Sequence, residues 1–317
     1  MKTLTSSICF IRASISLMLI VWLSRTSAGA LFLTLDELER SVAFAEDSRF
    51  DSVGAVYGTP DGTRVRGASG VLISENWVLT AGHVADNFSS FQFAIANDYD
   101  NPRYLRDVSE VIMHPGWPIG STRPGGYPDL ALFRLATPIT EVSPAIRFRG
   151  PDPDTSYPKL ETEQYYMAGF GLHGVANEEM ERDSLKRAGS NMLERMAFDD
   201  VYLSVDSTDW VPYYQPIVDL EWKGTSGDSG GGWFQQVDDH YELTGISSYA
   251  DGTWNRPTFT GAVRVTLYND WIDSVIAPTA VPEPTTFAML AVFATAAVLR
   301  SRRARSDNHG MQRSAGG

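Results

Sequence analysis

Residues 227–232 read Gly-Asp-Ser-Gly-Gly-Gly. Glycines on both sides of Ser229 permit a tight turn that exposes the hydroxyl and bares backbone N–H groups. A serine hydroxyl is a poor nucleophile at neutral pH. It needs a base within hydrogen-bond reach, a third group that holds the base in one tautomer, and donors aimed at the oxyanion that forms. Upstream, Leu79-Thr80-Ala81-Gly82-His83-Val84 supplies a base, His83, at the end of a strand–turn–strand run that begins at Gly70. Between the two lies Asp129-Leu130-Ala131-Leu132-Phe133-Arg134-Leu135, an acid at the mouth of an alternating strand. His83, Asp129 and Ser229 follow in that order, 46 and 100 residues apart.

Around these motifs the chain reads as short strands broken by Gly, Pro, Asn and Asp. Val53–Tyr57, Val65–Ile73, Trp77–Thr80, Phe91–Ile95, Val108–Met113 and Leu130–Leu135 form a first group. Gln164–Ala168, Val201–Val205, Trp233–Gln236, Tyr241–Ser248 and Phe259–Thr266 form a second. Many short strands with turn signals between them predict an all-β sandwich or barrels. The loop-rich stretch Arg149 to Lys159 is placed to link two lobes, and Leu267 to Ile276 has the apolar spacing of a closing helix. No internal repeat is evident.

The two ends differ in character from the body. Lys2 and Arg12 precede an apolar run from Ala13 to Leu23, and Ser27-Ala28-Gly29-Ala30 offers a small-residue cut site, so residues 1–30 read as a secretory signal peptide. At the other end, Val281-Pro282-Glu283-Pro284 precedes the apolar run Phe287 to Leu299, and Arg300, Arg302, Arg303 and Arg305 follow. That order resembles the PEP-CTERM sorting signal over residues 281–305, with 306–317 a short tail. The resemblance implies export in a Gram-negative bacterium, transient membrane contact through the C-terminal transmembrane segment, and a sorting peptidase that removes the tail. An ordinary C-terminal anchor is the alternative, and either places the body in the cell envelope or outside it.

Residues 31–280 form the working part. Eight of the 26 Lys and Arg and two of the 39 Asp and Glu lie in the end segments, so this part carries 18 basic and 37 acidic side chains, a net −19. Such a body repels nucleic acid and anionic lipid, which excludes both as expected partners. The single cysteine is Cys9, inside the first apolar segment. The body therefore has no thiol chemistry, no Cys-ligated zinc and no disulfide.

Together the three motifs resemble the chymotrypsin/trypsin-like serine proteases, which show Thr-Ala-Ala-His, then Asp-Ile-Ala-Leu, then Gly-Asp-Ser-Gly-Gly. Val111-Ile112-Met113-His114-Pro115, Gly169-Phe170-Gly171, Gly245-Ile246-Ser247-Ser248-Tyr249 and Trp271-Ile272 support the resemblance, which spans about Val53 to Ile276. It implies two six-stranded antiparallel β-barrels, about 50–150 and about 160–277, with a short C-terminal helix. It also implies a monomeric serine-type endopeptidase that needs no cofactor and acts on protein or peptide. His83 would be the general base, Asp129 its orienting partner and Ser229 the nucleophile. The N–H groups of Gly227 and Ser229 would form the oxyanion hole, and Ser248 would support Asp129 and, with Lys223 and Tyr249, meet substrate. His114, His173 and His240 read as structural, and His309 lies beyond the anchor.

The pattern departs from the family in three places. No Ile-Val-Gly-Gly start exists to supply an amine for Asp228, and Val53-Gly54-Ala55-Val56 is nearest; Asp228 either pairs with another terminus or uses a different partner, which leaves zymogen control open. Lys223 occupies the position six before Ser229, where trypsin-like members carry Asp. It either points into the primary pocket and selects acidic side chains or extends outward into solvent. Val84 stands where the family has a disulfide cysteine, and packing alone must hold the barrels. Asn97-Asp98-Tyr99-Asp100-Asn101 offers hard oxygen ligands for a structural calcium, although an exposed acidic loop explains it equally well. The competing function is a catalytically silent binding module on the same fold at the cell surface.

Overall fold

The computed structural model describes residues 30–32, 34–59, 62–121, 126–151, 164–175, 180–193, 195–197, 202–206, 218–250 and 259–277. The expected signal peptide (except Ala30), most of the linker at Arg149 to Lys159, and the sorting segment lie outside these residues. No helix among the described residues is long and apolar enough to cross a membrane.

In chain order the strands are β1 (Ala30–Phe32), β2 (Val53–Gly58), β3 (Val65–Ser74), β4 (Trp77–Thr80), β5 (Phe91–Ile95), β6 (Tyr104–Met113), β7 (Ala131–Leu135) and β8 (Ile146–Arg147). They continue as β9 (Gln164–Gly169), β10 (His173–Val175), β11 (Arg187–Met192), β12 (Arg195–Ala197), β13 (Tyr202–Asp206), β14 (Gly232–Val237), β15 (His240–Ala250) and β16 (Phe259–Arg264). The α-helices are α1 (Leu35–Phe44), α2 (Gly82–Ala85) and α3 (Asn269–Ile276).

β2 to β7 close into a six-stranded barrel in the order β2-β3-β4-β7-β6-β5. Every residue of β2 is buried, because its Val-Gly-Ala-Val-Tyr-Gly run is apolar or small on both faces. Closure occurs where β2 meets β5, with Gly54 opposite Ile95 and Ala55 opposite Ala94. Gly54 also pairs with Gly70 of β3. A Cβ on Gly54 would stand 2.3 Å from the Ala94 carbonyl oxygen and 2.5 Å from the Phe93 ring. Phe93, fully buried, lies against the two side-chain-free backbones and fills the barrel there. Burying a ring of this size contributes roughly 2–3 kcal/mol of transfer free energy.

The second half differs from the expected six-stranded barrel. Among the described residues it is an eight-stranded sheet ordered β11-β9-β14-β15-β16-β13-β12, with β8 added in parallel to β15. The long β15 makes this possible: it serves β14, β16 and β8 along its eleven residues. Tyr165, Met167, Leu193, Leu220, Trp222, Trp233 and Ala262 form its core, and Leu38 and Phe44 of α1 pack against it.

Helix α1 was not expected from the strand pattern. Its start signal is nonetheless written in Thr34-Leu35-Asp36-Glu37: the Thr34 hydroxyl accepts from the Glu37 N–H at 3.2 Å, and the Glu37 carboxylate accepts from the Thr34 N–H at 2.9 Å. The closing helix starts at Asn269, two residues later than the apolar spacing suggested, after a 3₁₀ turn over Val265–Tyr268.

Because the Ala94 carbonyl is fixed in the barrel ladder, Gly54→Ala has no flexible neighbour to displace. We expect it to lower the unfolding free energy by about 1–3 kcal/mol, read as a reduced urea midpoint at unchanged slope.

Candidate active site

Helix α2 leaves the end of β4 and carries His83 on its first turn. Gly82 packs tightly here, since a Cβ would stand 3.1 Å from both the Leu130 backbone nitrogen and the Trp117 ring. That close approach brings α2 against the mouth of β7, where Asp129 is 2 % exposed. The Asp129 carboxylate then takes two donors from one residue. The His83 backbone N–H donates to Oδ1 at 2.8 Å, and His83 Nδ1 lies 2.8 Å from Oδ2. Carboxylate oxygens are acceptors, so this contact assigns the proton to Nδ1 and leaves the Nε2 lone pair open. The imidazole remains part-exposed.

A third donor comes from the second half. The register of β15 against β16 slips between Ser247 and Tyr249, so Ser248 is an extra residue in the ladder. Such a bulge re-aims a side chain, and the Ser248 hydroxyl donates to Asp129 Oδ2. Tyr249, next along, lies against Gly261, where any Cβ would overlap its ring.

The serine turn is built on positive φ at Gly227 (104°) and Gly230 (85°). It docks on the first barrel. Ser69 of β3 donates its N–H to the Ser229 carbonyl at 2.9 Å and its hydroxyl to the Gly227 carbonyl at 2.9 Å. Thr80, three residues before His83, donates its hydroxyl to the Ser69 carbonyl at 2.8 Å. The turn is thus anchored to Ser69, which Thr80 holds in turn. Within the turn, the N–H groups of Asp228 and Gly230 are spent on the carbonyls of Thr225 and Ser247. Those of Gly227 and Ser229 have no acceptor among the described residues. Two uncommitted N–H groups flanking one residue form a ready anion site.

Asp228, 1 % exposed, has its partners inside the protein. Oδ1 accepts from the Gly171 N–H at 2.7 Å and Oδ2 from the Thr225 hydroxyl at 2.8 Å. Gly169 and Gly171 make room for it, since a Cβ on either would stand within 2.4 Å of a carboxylate oxygen. Burial pushes its carboxyl up to about 6, against the hydrogen bonds from Thr225 and Gly171 and the positive charge of Arg66. Arg66 is itself held below the usual guanidinium range by burial, with its guanidinium 4.9 Å from the Tyr99 ring centroid.

Lys223 is 2 % exposed, so it does not extend into solvent. Asp98 is engaged within its own loop, accepting from the Asp100 N–H at 3.0 Å and Asn101 Nδ2 at 2.7 Å. No group of three metal-ligating side chains occurs among the described residues. His114 accepts from the Gly116 N–H, His173 lies beside Glu181 and Asp183, and His240 is bonded to Glu242.

Sequence reasoning missed Ser69, Thr80, Thr225 and Arg66. Only Thr80, within the histidine motif, and Thr225, beside the serine motif, lay near a signal that could have found them.

These features define a mostly-β fold of the trypsin type, with one closed six-stranded barrel and a short C-terminal helix. A family model described as Trypsin matches residues 57–272, over half of the chain, and the chain belongs to that family. It is 27% identical over 226 residues to chymotrypsin-like elastase family member 1 of Canis lupus familiaris, covering 66% of this chain and 80% of the relative. The human protein of that name is 26% identical over 234 residues, covering 68% and 83%. A calcium-dependent serine proteinase of Mesocricetus auratus is 27% identical over 233 residues, covering 68% of this chain and 32% of the relative. Family membership supports a protease-type function and implies protein substrates.

The raised carboxyl of Asp228 has a definite consequence for stability. An acid with a raised folded-state pKa binds more protons folded than unfolded, so its contribution is present below the ordinary value of 3.8 and is lost as pH rises through about 6. The stability of the wild type relative to Asp228→Asn should therefore fall between pH 4 and 7.5, by up to about 3 kcal/mol. Paired thermal melts read it, and a difference constant with pH contradicts it.

Proposed function

We propose that the protein is an exported serine endopeptidase that cleaves peptide bonds through an acyl-enzyme intermediate. The observation that carries this reading is the His83–Asp129 pair, with Nδ1 committed to the carboxylate and Nε2 left open, on a barrel rim where the Ser229 turn is docked. His83 Nε2 takes the proton from Ser229 as its oxygen attacks the scissile carbonyl, and returns it to the leaving amine. Asp129 holds the ring and stabilises the imidazolium that forms. The uncommitted N–H groups of Gly227 and Ser229 receive the oxyanion. Water then enters by the same base and releases the acyl group.

Asp228 needs no free terminal amine in this reading, because Gly171, Thr225 and the charge of Arg66 supply its surroundings. Activity without removal of an N-terminal activation segment follows. Export rests on the apolar N-terminal run and the Pro-Glu-Pro tail, which we read as a signal peptide and a sorting signal. A monomer belongs to the same reading.

A fluorophosphonate probe tests the chemistry. The protein should be labelled, Ser229→Ala should abolish labelling, and His83→Ala should lower it at least about 1,000-fold. An unlabelled wild-type protein would leave the silent binding module as the better description.

The burial of Lys223 favours a second, finer reading: its ammonium lies beneath the site and selects acidic side chains before the cut. A peptide-library profile should then show Glu or Asp enriched at that position. A profile without that enrichment removes Lys223 from the specificity pocket.

A further inference from the structure

Ser69 lies on β3 in the first barrel, fully buried, opposite Ala55 of β2. Nothing in its sequence context marks it as functional. Yet every polar atom it has in this region is committed, and three of its four bonds involve the second half or its entry. Its N–H donates to the Ser229 carbonyl at 2.9 Å and its hydroxyl to the Gly227 carbonyl at 2.9 Å. The hydroxyl oxygen accepts from the Phe170 N–H at 3.0 Å, and the Ser69 carbonyl accepts from the Thr80 hydroxyl at 2.8 Å.

A hydroxyl has a single proton. Here Phe170 approaches a lone pair, so the proton is directed at the Gly227 carbonyl and cannot rotate elsewhere without losing both bonds. The target of that bond is the most deformable residue of the turn. Gly227 sits at φ +104°, a region where glycine moves freely because it has no Cβ. Its own N–H has no acceptor among the described residues. The peptide that carries this N–H is held on its carbonyl side, where Ser226 accepts from the Leu172 N–H at 3.0 Å, and the peptide that carries the Ser229 N–H is held where the Asp228 carbonyl accepts from the Gly231 N–H at 2.8 Å. Between these two donor peptides lies the Gly227–Asp228 peptide, and its carbonyl is held by the Ser69 hydroxyl. The Ser229 carbonyl, just beyond, is held by the Ser69 N–H.

We propose that Ser69 is, through its hydroxyl, a positioning residue for the oxyanion donors: a latch from the first barrel that keeps the Gly227–Asp228 peptide from swinging and so fixes the angle between the two flanking peptides that present the Gly227 and Ser229 N–H groups. The inference rests on the peptidase reading given above. It assigns Ser69 an effect on the transition state, where charge develops on the oxyanion, and little effect on ground-state substrate binding.

Ser190 is a matched control. It is buried in the second half, donates its hydroxyl to the Asp219 carbonyl at 3.0 Å and accepts from Gln164 Nε2 at 3.0 Å, the same pattern away from the turn. In steady-state assays with a chromogenic peptide ester, Ser69→Ala should lower kcat by about 10–100-fold with KM within about two-fold of wild type. Affinity for a peptide boronic acid, which places a tetrahedral anion on the serine, should fall by a similar factor. Ser190→Ala should keep wild-type kcat and boronate affinity. Ser69→Cys, nearly the same size but a weaker donor, should lie between wild type and Ser69→Ala and serves if the alanine variant does not fold.

The proposal is overturned if Ser69→Ala or Ser69→Cys retains wild-type kcat and boronate affinity. It is also overturned if the loss falls on KM alone, or if Ser190→Ala loses as much. Fluorophosphonate labelling of the wild type separates the two readings. A labelled wild type with an unimpaired Ser69 variant defeats this inference alone, and an unlabelled wild type defeats the peptidase reading and this inference with it.

Discussion

The carboxylate of Asp129 is the constraint on which the site depends. A carboxylate this deeply buried is costly unless its lone pairs are filled. Here they are filled by the backbone and ring of His83 and by the hydroxyl of Ser248. Each donor fixes something else. The His83 N–H fixes the direction in which α2 leaves β4. The ring contact fixes the tautomer. Ser248 fixes the bulge in β15 and so ties the second half to the rim of the first barrel. One buried group therefore specifies a helix start, a tautomer and an interface.

The second constraint is close approach of backbone. Glycine at 54 and 70 lets Phe93 fill the closed barrel, and glycine at 82 lets α2 meet the mouth of β7. Glycine at 169 and 171 opens the seat of Asp228. Gly230 lies where any side chain would strike Ser69 and Thr80. In a body without cysteine, this tight apposition takes the place that cross-links would otherwise fill. It demands that the facing surfaces be nearly bare backbone, and the glycines supply that.

Much of this was legible in the sequence. The strands of the first barrel follow from alternation and turn residues, and the histidine, acid and serine motifs stand out because each is local. Helix α1 had a readable signal in its Thr-x-x-Glu start. Other features had none. The eight-stranded form of the second half depends on the length of β15 and on the parallel pairing of β8, a two-residue strand too short to show a pattern. The bulge at Ser248 is a property of register between two strands, which no single strand encodes. Ser69 meets Gly227 across 158 residues of chain, and a serine in an apolar strand gives no hint of what faces it. The buried state of Lys223 and the partners of Asp228 are likewise set by what folds over them.

That separation along the chain bears on the order of events during synthesis. The histidine–acid pair is complete within the first barrel, but the serine turn and its anchors join only when β3 meets a segment made more than 150 residues later. Contacts of such long range are paid for in loop-closure entropy and form late. A nascent chain thus carries the finished His83–Asp129 pair before the serine turn exists. Whatever chemistry the assembled protein performs is withheld by chain connectivity until the last strands are in place.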